Sequence, residues 1–153
     1  FLSLIQMRPG MEKDCNILEW VAFASNAFNV LVPFYATIDT TPDYFSSTTR
    51  EVTTDSFYWV SRMIGAMADA SYKSSIFHIE RYQEHVMAKG HELINTYDAL
   101  LAKESDAQKR MELKEEANEK IAEMVKKAAA DTLNKVLFEL SSQMKNAYSR
   151  SDA

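Results

Sequence analysis

The 153 residues predict an α+β chain: about three buried strands first, then a buried helix, then a long antiparallel helical hairpin. Three observations predict it. FLSLIQM, NILEWVAFA and FNVLVPFY are each of strand length, rich in β-branched and aromatic residues, and separated by turn formers. In the second half, apolar residues recur three and four apart over two stretches far longer than any strand. Only three glycines and three prolines punctuate the chain, which favours long continuous elements.

Residues 1–38 make up the strand region. In its third strand Phe28, Val30, Val32 and Phe34 line one face, and Leu31 and Tyr35 make the other largely apolar. In the second, Ile17, Val21 and Phe23 oppose Leu18, Trp20, Ala22 and Ala24, with only Glu19 interrupting. Strands apolar on both sides are buried on both faces. Three strands and the helices of this chain cover one such face, not two. The uncharged run from Trp20 to Ile38 approaches the ~20 residues of a membrane span. Ser25, Asn26 and Asn29 break it, however, and Pro33 would interrupt a helix. Two strands joined at Ser25–Asn26–Ala27 fit better, and no membrane partner is expected.

Residues 39–55, DTTPDYFSSTTREVTTD, form a polar connection. Thr41 and Pro42 suit the N-cap and first position of a short helical turn, and a short strand is expected around Glu51–Thr53. A connection this long is either functional or a solvated connector. Residues 56–153 form the helical region. SFYWVSRMIGAMADA, capped by Thr54 or Asp55, carries the stripes Phe57, Val60, Ile64, Met67 and Trp59, Met63, Ala66, Ala70, so it reads as buried around most of its circumference.

The hairpin's first helix is expected from Ser74 or Ser75 to about Lys103, with Ile79, Tyr82, Val86, Gly90, Leu93, Tyr97 and Leu100 facing inward. Gly90 on that stripe permits a close backbone approach at a propensity cost of about 1 kcal/mol. Ser105 and Gln108 make a capping box for the second helix. It runs from about Asp106 to Tyr148, with Leu113, Ala117, Ile121, Met124, Ala128, Leu133, Val136, Leu140 and Met144 inward. The short junction makes the two helices antiparallel neighbours.

The net charge of −5 argues against a nucleic-acid partner. The lone Cys15 excludes an internal disulfide and fits a reducing compartment. FLSLIQMRPG shows neither a basic leader nor a small-residue cleavage site, so a cytoplasmic protein is expected.

Residues that could carry chemistry are few. Cys15 sits in MEKDCN, where Glu12 and Asp14 disfavour a thiolate. His78 and His85 share a helix face but are seven apart, too far to chelate one metal, and His91 points elsewhere. The charged run KRMELKEEANEK reads as a solvated face with i,i+4 ion pairs. No phosphate loop, nucleophile elbow or paired-cysteine pattern is present. No catalytic residue, metal or cofactor is therefore assigned within this chain.

Three stretches taken together, NVLVPFYATIDTTPDYF, REVTTDSFYWVSRMIGAMAD and IFHIERYQEHVMAKG, resemble the C-terminal part of the cysteine dipeptidases of lactic-acid bacteria. That family belongs to the N-terminal-nucleophile (Ntn) hydrolases. The resemblance implies a C-terminal fragment of a four-layer αββα sandwich that cleaves dipeptides without a metal. Its nucleophile is an N-terminal cysteine whose own α-amino group is the base. Neither Phe1 nor Cys15 matches that cysteine, so the nucleophile is expected upstream. The expected partners are the N-terminal part of the same protein, dipeptide substrates, and further copies in a homo-oligomer. Phe34 and Tyr35, where a strand enters the Thr-rich connection, are the candidates for lining the substrate cleft; the alternative for both is an ordinary core aromatic. The competing function is a non-enzymatic helical interaction or oligomerisation module.

Overall fold

The computed structural model describes residues 1–25, 27–46 and 48–144. Three strands, β1 (Leu2–Met7), β2 (Ile17–Ala22) and β3 (Val32–Tyr35), form an antiparallel sheet in chain order. A single helical turn, α1 (Asp43–Ser46), leads to α2 (Phe57–Ala70), and α3 (Tyr72–Leu101) and α4 (Ala107–Ser142) form the hairpin. The chain is α+β in this order.

Register assigns the faces. Leu4 pairs with Trp20, Gln6 with Leu18, Trp20 with Pro33 and Leu18 with Tyr35, so these side chains share one face. Leu18, Trp20, Ala22, Pro33 and Tyr35 are all buried there against the hairpin. The opposite face carries Ser3, Ile5, Met7, Ile17, Glu19, Val21, Val32 and Phe34. On its β3 side it is closed: Phe34 meets Phe45 of α1 at 4.5 Å between ring centroids, and Phe45 meets Phe57 of α2 at 4.6 Å. On its β1 side it is open, with Ile5 62% and Met7 76% exposed. The hairpin covers its face at β2 and β3 but leaves Leu4 of β1 48% exposed, and the opposite face is closed only beside β3.

β3 begins at Val32, not at Phe28. The four residues before it are held in a turn: the Phe28 and Asn29 N–H groups donate to the Ser25 carbonyl at 2.9 and 3.0 Å, and Gln83 of α3 donates to the Asn29 carbonyl at 2.8 Å. Asn26 of the expected turn lies outside the described residues. No strand forms at Glu51–Thr53. The connection is pinned by side chains instead: Glu115 accepts from both the amide and hydroxyl of Thr40, and Trp59 donates to the Thr49 carbonyl.

Three helix starts differ from the sequence expectation for local reasons. The N-cap position of α2 is Ser56, and the carboxylate of the expected cap Asp55 pairs instead with Lys126 at 2.9 Å. α3 starts at Tyr72, one residue after α2 is closed off by Ser71. The α4 cap is Asp106, whose side chain accepts from the Lys109 N–H at 2.9 Å, while Glu104 accepts the Ser105 and Asp106 N–H groups. α4 ends at Ser142 with Gln143 as its C-cap, short of the expected Tyr148, which itself lies outside the described residues. Met144, expected to face inward, lies past this end and is 68% exposed.

The α3 stripe holds at Ile79, Tyr82, Val86, Gly90 and Tyr97, with Ile94 and Leu101 buried where Leu93 and Leu100 were expected. α2 is not buried all round: Arg62, Ala66 and Asp69 leave one stripe exposed, because two of the three carry charge.

Gly90 is where α3 meets β3. A Cβ at this position would lie 2.9 Å from both Cδ and Cγ of Pro33. Gly90→Ala gains about 1 kcal/mol in helix propensity but overpacks a rigid ring, which typically costs 1–3 kcal/mol. The variant is expected to unfold at lower urea concentration than the wild type; an unchanged or higher midpoint would show that β3 can retreat from α3.

Candidate functional site

The junction where β3 enters the Thr-rich connection is organised by α4. Tyr35 leaves its N–H and C=O pointing away from β2, at the sheet edge, and Asn118 satisfies both. Its Oδ1 accepts from the Tyr35 N–H at 2.9 Å and its Nδ2 donates to the Tyr35 carbonyl at 3.0 Å. One helical side chain thus acts as a neighbouring strand and closes an edge that would otherwise invite pairing.

One turn earlier on the same stripe, Lys114 is 2% exposed and donates to the carbonyls of Asp14 at 3.0 Å and Thr37 at 2.8 Å. One turn earlier again, Arg110 grips Asp14 with two bonds of 2.8 Å, from Nε and Nη2. Its Nη1 donates to the carbonyls of Leu101 and Glu104, so the same guanidinium caps the C-terminal end of α3. This bond to Arg110 is the main reason the Asp14 carboxyl is held below its ordinary range, and it raises Arg110 in turn.

The sequence reading placed Arg110, Lys114 and Asn118 on a solvated face, and this is corrected: all three are buried. They continue the core stripe of Ile121, Val125 and Ala129 backwards in steps of three and four. Their partners at the sheet, Asp14, Tyr35 and Thr37, lie 77 to 100 residues away in the chain, beyond the reach of any local pattern. An asparagine in mid-helix, where it is a poor helix former, was the one visible signal.

Tyr35 is fully buried. Its hydroxyl donates to Asp98 at 2.8 Å and lies 3.2 Å from the Ile94 carbonyl, and the Arg8 guanidinium sits 5.7 Å from its ring centroid. Burial first, and the Asp98 carboxylate second, raise the phenol far above its usual pKa. Phe34, 8% exposed, faces the other way into the aromatic cluster with Phe45. The two candidates therefore sit back to back across the sheet.

Cys15 is 2% exposed, and its thiol faces the Glu12 carbonyl at 3.5 Å. Burial and the Asp14 carboxylate push it up, so it stays a thiol. The histidines are dispersed: His78 lies 3.4 Å from Glu139, His85 is exposed, and His91 packs on Trp20 with ring centroids 5.0 Å apart. Among the described residues no cluster of three His, Cys, Asp or Glu side chains is placed to hold a metal ion.

Two concavities stand out. The larger, about 780 Å³, runs between α3 and α4. Its polar groups are largely engaged: Lys135 with Asp131 at 2.6 Å, His78 with Glu139, and Arg81 stacked 4.1 Å from the Phe77 centroid. The other, about 600 Å³, lies between the turn after β2 and the exposed stripe of α2.

Comparison with known proteins places this geometry in context. The profile of peptidase family C69 matches residues 1–85. The chain is 38% identical over 151 residues to a "Probable dipeptidase A" of Streptococcus pyogenes serotype M18 (strain MGAS8232), covering 98% of this chain and 31% of that protein. It is 32% identical over 188 residues to a "Dipeptidase" of Bifidobacterium longum (strain NCC 2705), covering 99% and 35%. With a "Probable dipeptidase B" of Lactococcus lactis subsp. lactis (strain IL1403) it shares 28% identity, covering 99% and 31%. The chain spans about a third of the length of these relatives.

The Asp14–Arg110 pair gives the stability a definite pH dependence. The folded-state carboxyl titrates below its unfolded value of about 4, so its contribution is present above that pH and is lost as the pH falls through the depressed folded value. Asp14→Asn is expected to lower the urea midpoint at pH 7, with the gap to wild type narrowing below about pH 4. A gap that stays constant down to pH 2.5 would show that the ion pair is not what holds this loop.

Proposed function

Because the chain belongs to peptidase family C69, we propose that it is the C-terminal part of a cytoplasmic dipeptidase of the N-terminal-nucleophile type, whose catalytic cysteine lies upstream of these residues. The open face of the sheet carries this reading. In an αββα sandwich each sheet packs one face on helices and the other on a second sheet. Here the helix side is buried at β2 and β3, with Leu4 of β1 48% exposed, while on the other side Ile5 and Met7 stand 62% and 76% exposed. Relatives about three times as long have the chain to supply that second sheet. A homo-oligomer is part of the same proposal: Phe77, Leu100, Leu137 and Phe138 stand exposed on the hairpin, apolar surface that favours contact between copies. No helix among the described residues is long and apolar enough to cross a membrane.

In the proposed reaction the upstream cysteine attacks the scissile carbonyl carbon, and its own α-amino group takes the thiol proton and returns it to the leaving amine. Water then releases the acyl group. The present chain supplies a wall and a support. Phe34, packed under Phe45 on the sheet face opposite the hairpin, is proposed to back the wall of the cleft, and Tyr35, clamped by Asn118 and Asp98, to fix where Phe34 stands.

The test uses the full-length protein carrying Cys15→Ser, so that the thiol buried here takes no part. This variant should keep kcat/KM for free dipeptides within about threefold of wild type. A thiol-alkylating reagent should then abolish activity, whereas a chelator should leave it. Inactivation by the chelator but not by the alkylating reagent would overturn the cysteine mechanism. A hundredfold loss in folded Cys15→Ser would trace about 3 kcal/mol of transition-state stabilisation to this residue and overturn the upstream assignment.

A further inference from the structure

The cleft of about 600 Å³ beside α2 carries a charge pattern that the fold does not explain. Tyr58, Arg62, Gly65, Ala66 and Asp69 fall on one stripe of α2, and Phe23 and Phe28 face them from the turn after β2. Arg62 stacks 5.5 Å from the Tyr58 ring centroid, and neither Arg62 nor Asp69 forms a salt bridge with any described residue. Asp69 stands in the last turn of α2, where a negative charge opposes the helix dipole. Helix stability therefore gives no reason for a carboxylate there. The opposite wall includes Ala24, held at φ 70°, a left-handed conformation uncommon outside glycine.

The geometry points to this cleft as a binding site for free dipeptides, in which Arg62 holds the α-carboxylate and Asp69 the α-ammonium; the inference rests on the dipeptidase reading above. Residues seven apart on a helix share a face and are separated by about 10 Å along the axis. An extended dipeptide spans about 7 Å between its termini, and one charged hydrogen bond at each end adds about 2.8 Å. That gives roughly 12 Å between the gripping atoms, which the long Arg62 side chain accommodates. A single amino acid is short by about one residue length, and a tripeptide is long by the same amount. Phe23, Phe28 and Tyr58 offer apolar surface to substrate side chains, which favours a site that reads the two charged ends and tolerates varied residues between them.

Binding is measured calorimetrically on the full-length protein after its reactive thiol has been blocked with a methylthio group, so that no turnover intervenes. The probes are leucyl-leucine, its C-terminal amide, its N-acetyl derivative, and leucine. Wild type is expected to bind leucyl-leucine at least tenfold more tightly than any of the other three. Arg62→Gln should lose that advantage over the amide, and Asp69→Asn the advantage over the N-acetyl form, while each leaves the weaker probe unchanged. Arg62→Lys should restore part of the loss. Unchanged affinities in both variants, or equal losses for all four probes, would overturn the clamp. The two readings fail separately. An unblocked enzyme that turns over dipeptides with unaltered variants keeps the activity and removes the clamp. A protein that discriminates the probes but never turns over keeps the clamp and removes the activity.

Discussion

The pairing of the Asn118 amide with both backbone groups of Tyr35 fixes the relation between sheet and hairpin. An edge strand needs partners for its outward N–H and C=O groups. By taking them from α4, β3 sets its distance and register against that helix. Lys114 and Arg110 extend the same grip to Thr37, Asp14 and the end of α3. Buried cations are tolerable only where every donor has an acceptor in place, so this row holds the loop before β2, the exit of β3 and the hairpin turn together. Pro33 then rests on Gly90, and Trp20 on His91.

The parts of this arrangement that follow a local rule were legible in the sequence. The order of strands and helices, the α3 stripe through Ile79, Tyr82, Val86 and Tyr97, and the close approach at Gly90 follow from period and composition. So does the back-to-back placement of Phe34 and Tyr35, because adjacent strand residues alternate faces.

What escaped was set by distant partners. KRMELKEEANEK looks solvated until Asp14 and Thr37 are brought against it, and Phe28 looks like strand until Ser25 accepts its N–H. The cap at Asp106 was missed by one residue, because Glu104 competes for the preceding amides. Along α2 the charges at Arg62 and Asp69 were the signal of an exposed stripe, hidden by the apolar residues around them.

With its helix side held by α4, the sheet has one face left, and the functional reading depends on what lies against it. Met7 reports on that face directly: it is 76% exposed, while Met144, at 68%, lies beyond the end of α4 and serves as an internal reference. The decisive measurement is the rate of Met7 oxidation by peroxide, relative to Met144, in residues 1–153 alone and in the full-length protein. Packing of a second sheet over Ile5 and Met7 should slow the relative rate at least tenfold in the full-length protein. Equal relative rates in the two would mean that nothing covers this face, and would contradict the sandwich.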